Sequence, residues 1–312
     1  MNLADWQDIF RLDFTDLWPF LAQASRLREA RCGKNVSLCV IINAKSGNCP
    51  QDCAFCAQSR RSTAPINKYP LLSREEMVTA AQVAAAQGAA RFSIVTSGRG
   101  VMTRQEQDTL LATVAEIRRT TTLHVCVSLG IVNPDFLQAL AQAGVHRYHH
   151  NIETAASFFP QIATAHTFEE RLATIRRAQG AGLAVCVGGI FGLGESVAQR
   201  YEMAQIIRDL EVDSIPLNFL QPIPGTPLAH RQPLPPLEAL QIILAFRLFF
   251  PDKRLIIAGG RLGTLRSLTA LMFAAGADAL MTGDYLTTKG QLPSQDLQML
   301  HDLGLRAVQE DR

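Results

Sequence analysis

Short β-branched runs alternate with helical stretches along this chain, and that alternation constrains its fold more than any other feature. The runs are VSLCVIIN (36–43), ARFSIVTS (90–97), LHVCVSLG (123–130), HRYHHNIE (146–153), LAVCVGGI (183–190), SIPLNFL (214–220), RLIIAGG (254–260) and ADALMTG (277–283). One cycle takes about 30 residues, the length of a strand, a crossover helix and the next parallel strand. The intervening segments carry helix punctuation. SREEMVTAAQVAAAQG opens on Ser73 with Glu76 three residues on, a capping box, and closes at Gly88. NPDFLQALAQAG, TFEERLATIRRAQGAG and TLRSLTALMFAAGA show similar start and stop signals. Eight such cycles predict an α/β fold, a single parallel (β/α)8 TIM-type barrel. A doubly wound open sheet would show the same alternation. With 312 residues, 47% of them hydrophobic, the chain is long enough for one barrel. Residues 1–35 read as an N-terminal helical extension, 36–290 as the barrel and 291–312 as a C-terminal helix and tail.

Charge excludes several function classes. Thirty Lys and Arg against 28 Asp and Glu give a net charge of +2, and the basic residues come in scattered pairs such as Arg60–Arg61 and Arg118–Arg119. Neither a nucleic-acid nor a polyanion surface is expected. No apolar run approaches the roughly 18 residues of a membrane span. The start, MNLADWQDIF, is acidic and amphipathic and lacks the basic, apolar design of a secretion signal. A cytoplasmic location with reduced thiols is the expectation. The seven cysteines then read as ligands, nucleophiles or small buried residues rather than disulfides.

Three of them crowd one loop. SGNCPQDCAFCAQS places Cys49, Cys53 and Cys56 just after the first strand run, on the barrel face where catalytic loops gather. A structural zinc ion wants four ligands, and no fourth Cys or His follows closely. A four-iron cluster held by three thiolates keeps one iron open for a chelating ligand. The C-x3-C-x2-C spacing, with aromatic Phe55 before the last cysteine, matches the signature of the radical S-adenosylmethionine (SAM) superfamily. Membership implies a 4Fe-4S cluster whose open iron binds the methionine end of SAM and cleaves it to a 5′-deoxyadenosyl radical.

From about residue 36 to 306 the chain resembles the biotin synthase family, through KSGNCPQDCAFCAQS, YHHNIET, GGIFGLGES, PIPGTPL, AGGR and GDYLTT. The resemblance implies sulfur insertion into dethiobiotin to give biotin. It also implies a second, auxiliary iron–sulfur cluster inside the barrel, 2Fe-2S or another type, as sulfur source. The usual auxiliary ligands are three cysteines and an arginine. Carried over, they give Cys126 in LHVCVSLG, Cys186 in LAVCVGGI and Arg261 in AGGR. The remaining cysteine, expected in the second run, is replaced by Ser93. Alternate strand residues face inward, so Cys39 on the neighbouring first strand is a candidate to complete the set. A branch of the family pairs the same FSIVTSG block with such an early cysteine. Taken singly, Cys39, Cys126 and Cys186 read as buried small residues; three on barrel strands beside a cluster motif read as ligands, and Cys32 reads as structural or incidental.

The fourth run supplies a polar face, His149, Asn151 and Glu153, which an apolar interior does not hold without partners. Helix capping or solvation at the barrel mouth would also account for it. In the family, the positions of Asn151 and Glu153 contact SAM, and Asn151 approaches the substrate's ureido ring. Glu153 stands where Asp is usual and His149 where Asn is usual. Arg171 matches an arginine that pairs with the SAM carboxylate, a task suited to a bidentate guanidinium. Ile190 matches the backbone behind the adenine. Asn218 matches an asparagine near the substrate. Phe55, Asn151, Glu153, Arg171 and Ile190 are thus the implied SAM contacts, and Asn151, His149 and Asn218 the implied substrate contacts, with no acid–base residue required. The resemblance further implies a flavodoxin- or ferredoxin-type electron donor and a homodimer. Two rivals stay open: another radical SAM enzyme of hydrogenase-maturation or methylornithine-synthase type, and a non-enzymatic iron–sulfur protein.

Overall fold

The computed structural model describes residues 1–101 and 103–308. Ten strands form one sheet: β1 (Asn35–Lys45), β2 (Arg91–Thr96), β3 (His124–Ser128), β4 (Arg147–His149), β5 (Ala184–Cys186), β6 (Gly189–Phe191), β7 (Ser214–Phe219), β8 (Arg254–Ile257), β9 (Ala279–Met281) and β10 (Arg306–Val308). Every pairing is parallel, and β9 returns to β1 through Ser37↔Ala279 and Cys39↔Met281, closing the barrel. Each of the eight runs contributes one stave, so the closed barrel and not the open sheet is what forms. The helices are α1 (Leu3–Ile9), α2 (Trp18–Cys32), α3 (Arg74–Ala86), α4 (Arg104–Thr120), α5 (Pro134–Ala143), α6 (Phe168–Gly180), α7 (Val197–Asp209), α8 (Pro236–Phe249), α9 (Arg261–Leu265), α10 (Leu271–Ala274) and α11 (Pro293–Asp302).

Local sequence explains where these helices start. Ser73 and Glu76 form the capping box of α3, and Thr167 and Glu170 form that of α6. Asn133 caps α5 ahead of Pro134, and Gly144 ends it in the left-handed region. The apolar stripes they align pack on the outward side chains of the strands, including Phe92, Ile94, Val125, Val127, Val185 and Leu217.

Four departures from the sequence pattern matter. The fourth stave keeps regular pairing only over Arg147–His149, because Glu153 turns to φ +69°. The fifth divides into β5 and β6 at the Val187–Gly188 step. The segment 264–276 is not one helix: it breaks at Arg266, φ +52°, into α9, a 3₁₀ turn and α10. Arg306–Val308, read as tail, forms β10 and extends the sheet beside Asn35–Ser37.

The N-terminal extension is fastened by one aromatic. Trp6 on α1 is fully buried, with ring centroids 5.6 Å from Tyr201, 5.5 Å from Phe246 and 5.8 Å from Phe249. These edge-on contacts attach α1 to α7 and α8. Truncation to alanine leaves a cavity between helices that cannot collapse fully. We expect Trp6→Ala to lower stability by about 3–5 kcal/mol, measured by urea unfolding of the reduced apoprotein. A loss under about 1 kcal/mol would show α1 to be dispensable to the barrel.

Candidate functional site

The cysteine loop leaves β1 through Gly47 and Asn48, both in the left-handed region at φ +74° and +51°. It is held as a folded unit before any ligand arrives. Gln58 Oε1 accepts from the Gly47 amide at 2.8 Å, the Gln58 carbonyl accepts from Cys49 at 3.3 Å, and Cys56 donates to the Cys53 carbonyl at 3.2 Å. Asp52 anchors the loop to the segment before α6, accepting from the Thr164 and Ala165 amides, each at 2.9 Å, and from the Thr164 hydroxyl. Burial raises the Asp52 carboxyl, but these hydrogen bonds outweigh it and hold the group at about 2. Burial raises the Cys53 thiol strongly and the Cys56 thiol to about 11. Cys49, Cys53 and Cys56 line one cavity together.

Beside them opens a cavity of about 200 Å³ lined by Cys49, Cys53, Cys56, His149, Asn151, Glu153 and Arg171. Arg171 is its organiser. Its Nε donates to the Asn151 carbonyl at 2.5 Å, Nη1 to His166 Nε2 at 2.9 Å and Nη2 to Glu153 Oε1 at 2.5 Å. Burial and then the Arg171 charge drive His166 down to about 4, so its ring is neutral and accepts. Burial likewise drives His149 down to about 4, against the opposing pull of Glu153. The left-handed Glu153 aims its carbonyl across to the Ile190 amide, 2.7 Å away. A Cβ on Gly189 would lie 2.5 Å from that carbonyl, so the glycine is what lets the two staves meet here.

A second cavity of about 360 Å³ continues into the barrel. Phe55, Cys56, His149, Asn151 and Glu153 line both. On its wall are Cys39, Ser93, Cys126 and Cys186, with Arg91 and Arg147 among them. Register places Ser93 beside Cys126, Cys126 beside Arg147, and His149 beside Cys186. Cys39 and Cys186 pack together with Ile256 and Ala279. Burial pushes the Cys39 thiol up to about 12; Arg91 and Arg147 pull it down, and Cys126 and Cys186 push it further up. Cys126 and Cys186 are raised for the same first reason, burial. Asn218 also lines this cavity, but its amide is engaged, donating to the Gly189 carbonyl at 3.1 Å and accepting from Gly259 at 3.0 Å.

Comparison with known proteins meets this geometry. Residues 44–207 match the model of the radical SAM superfamily, and 216–306 match the biotin and thiamin synthesis associated domain. The chain is 49% identical over 295 residues to the biotin synthase of Heliobacterium modesticaldum, covering 95% of this chain and 90% of the relative. It is 48% identical over 302 residues to that of Geobacter sulfurreducens, covering 97% and 92%. The chain belongs to the biotin synthase family. Among solved structures, methylornithine synthase superposes with TM-score 0.86 at 19% identity, over 99% of this chain and 94% of that one. The [FeFe]-hydrogenase maturase of Carboxydothermus hydrogenoformans superposes with TM-score 0.82 at 16% identity, over 98% and 76%. At such identities these two establish the fold alone.

The donor sets suit what a biotin synthase carries. Among the described residues, no three His, Cys, Asp or Glu side chains converge on a single-ion site. Sulfurs in two groups of three, the loop set half-buried and the strand set buried, each beside a cavity, suit multi-iron clusters better than one ion. Orphaned guanidinium donors on Arg147 point to an anionic occupant of the inner cavity.

Arg261 does not line either cavity. It begins α9 immediately after Gly260, φ +80°, where the chain turns outward, and its Nη2 meets Asp296 of α11 at 2.6 and 2.7 Å. Both side chains are fully buried. The pair fastens α9 to α11, and the guanidiniums facing the thiols are Arg91 and Arg147, with Arg254 near enough to lower Cys186. Parity could have found them: Arg91 is two residues from Ser93, and Arg147 two from His149, on the same inward face. Tyr285 and Leu286 also line the inner cavity, in a block whose likeness carried no residue-level assignment. Leu286 is fixed by Asn43 Nδ2, which donates to its carbonyl at 2.9 Å. Removing one partner of the buried pair should be costly and removing both milder. We expect Arg261→Leu to destabilise by about 3–5 kcal/mol, with Arg261→Leu/Asp296→Leu recovering most of that loss. Iron and sulfide per folded chain should stay at the wild-type level in the double variant; loss of iron would return Arg261 to the ligand set.

Proposed function

We propose that this chain converts dethiobiotin to biotin by inserting sulfur between two unactivated carbons. The observation that carries this reading is the continuity of two cavities, one bounded by the loop thiols and one by the strand thiols, through a shared polar wall of His149, Asn151 and Glu153. When bound, the 4Fe-4S cluster supplies the electron that cleaves SAM, and the auxiliary iron–sulfur cluster supplies the sulfur.

Cys49, Cys53 and Cys56 hold the first cluster and leave one iron for SAM. Arg171 takes the SAM carboxylate, exchanging part of its present pairing with Glu153 for a charge-assisted bond of the same kind. Glu153 and Asn151 turn to the ribose and amino acid portions, and Phe55 and the backbone at Ile190 enclose the adenine. His149, neutral at physiological pH, and Asn218 face the ureido substrate as hydrogen-bonding groups without adding charge. Such a wall orients the reacting carbon and keeps water away from a radical. Cys39, Cys126 and Cys186 hold the auxiliary cluster, with Cys39 replacing the cysteine that Ser93 displaces. Their raised thiols must lose protons on metal binding, so assembly of this cluster is favoured by alkaline pH.

All seven cysteines are free thiols, which supports a reducing, cytoplasmic setting; among the described residues no helix is long and apolar enough to cross a membrane. A flavodoxin- or ferredoxin-type donor and a homodimer complete the proposal, on the family likeness.

Two outcomes test it. Cys53→Ala should form no 5′-deoxyadenosine from SAM under reducing conditions, read by chromatography; normal production would remove Cys53 from the cluster. Cys39→Ala should still cleave SAM but lose the auxiliary iron and make no biotin, whereas Ser93→Ala should be mild, since a hydroxyl is a poor iron ligand beside a thiolate. The reverse ranking, seen by iron content and Mössbauer spectra, would make Cys39 a core residue.

A further inference from the structure

Among the arginines that line the inner cavity, Arg147 has two donors without a partner. It lies on β4 in register with Cys126 of β3, is 5% exposed, and lines the inner cavity. Its Nε and Nη1 have no hydrogen-bond partner. A guanidinium stripped of water and left without acceptors is strongly unfavourable, so such a group in a functional cavity marks the place of an absent anion. No carboxylate can fill that role. Among the described residues lining the cavity, Glu153 is the single carboxylate, and Arg171 already holds it. Arg91, the neighbouring cation, is bonded to His146 Nδ1 at 3.1 Å. Cys126 stands beside Arg147 in register, and Cys39 and Cys186 share its cavity wall.

We propose that Arg147 donates its Nε–H and Nη1–H to the sulfur atoms of the auxiliary iron–sulfur group and, as a buried positive charge with two donors free of protein partners, sets that group's reduction potential. This rests on the reading that Cys39, Cys126 and Cys186 carry that group. The charge balance supports it. Three thiolates and bridging sulfides bring net negative charge into a closed barrel, and the cavity offers cations but no spare anion to oppose them. A fork with two donors free can meet two sulfurs at once, which a lysine ammonium cannot do with the same fixed geometry. A nearby positive charge stabilises the more negative, reduced state, so its removal must shift the potential downward. Arg147 is a positioning residue: it acts on the sulfur donor, not on the carbon that reacts.

The test uses full-length protein reconstituted anaerobically with iron and sulfide. Wild type is measured first; a chain holding only the SAM-side cluster would sink the auxiliary-cluster reading itself, and this inference with it. With two clusters present in wild type, Arg147→Gln and Arg147→Lys are compared by iron and sulfide content, Mössbauer spectra and a redox titration of the auxiliary signal. Retention of the SAM-side cluster shows that each variant folds. Arg147→Gln is expected either to lose the auxiliary iron and sulfide or to keep them at a more negative midpoint potential. Arg147→Lys should lie between Arg147→Gln and wild type, because the charge stays and the fork does not. If Arg147→Gln does not fold, a wild-type potential in Arg147→Lys overturns the proposal. Wild-type iron, sulfide and potential in both variants overturn it also. The same result with a raised KM for dethiobiotin would make Arg147 a substrate anchor instead.

Discussion

Ser37–Cys39 of β1 pair in parallel with Ala279–Met281 of β9, and this seam converts a curved sheet into a closed barrel. Asp278, fully buried, secures it. Its carbonyl accepts from Ser37 at 3.2 Å and its carboxylate from the Leu255 amide at 3.0 Å, tying β1, β8 and the start of β9 together. Arg247, also fully buried, pairs with that carboxylate at 2.8 Å, and Arg31 of α2 approaches at 2.5 Å. Without the seam the sheet would have exposed edges, and the inward side chains would face water. With it, Cys39 sits between Met281 and Arg91 in a place from which solvent is excluded.

That exclusion produces the electrostatics of the interior. Thiols are raised, histidines are lowered, and guanidiniums are left facing sulfur. The groups sort by depth. Near the mouth, Arg171 joins Glu153 and His166 in a network beside the loop cysteines. In the inner cavity, Arg91 and Arg147 share the wall with Cys39, Cys126 and Cys186, and the single carboxylate among the described lining residues, Glu153, is held by Arg171. A radical generated at the mouth and a sulfur source held below it would meet across the shared wall of His149 and Asn151. The geometry of Glu153 is part of this arrangement, since its left-handed backbone lets the fourth and fifth staves touch through Gly189. A non-glycine residue at φ +69° is strained, and here the Ile190 amide and the Arg171 ion pair hold it in place.

The strand count, the helix caps at Ser73, Asn133 and Thr167, and the three clustered cysteines were legible in the sequence. Each depends on residues close together in the chain: period-two alternation, a cap three residues from its partner, a loop short enough to bring three sulfurs together. The inward parity of Cys126, Ser93 and His149 followed from the same alternation. What the tertiary structure alone decided depends on residues far apart. Arg261 was carried over as a ligand from the likeness of the AGGR block, and its pair with Asp296, on a later helix, appears only in the folded chain, with Nε and Nη1 left without a partner. β10 forms because β1 offers an open edge at Asn35–Ser37, which nothing within 306–308 reveals. The grouping of Cys39 with Cys186, and of Arg147 with both, required the barrel to close, since strand register and curvature, not local pattern, set which inward side chains share a cavity.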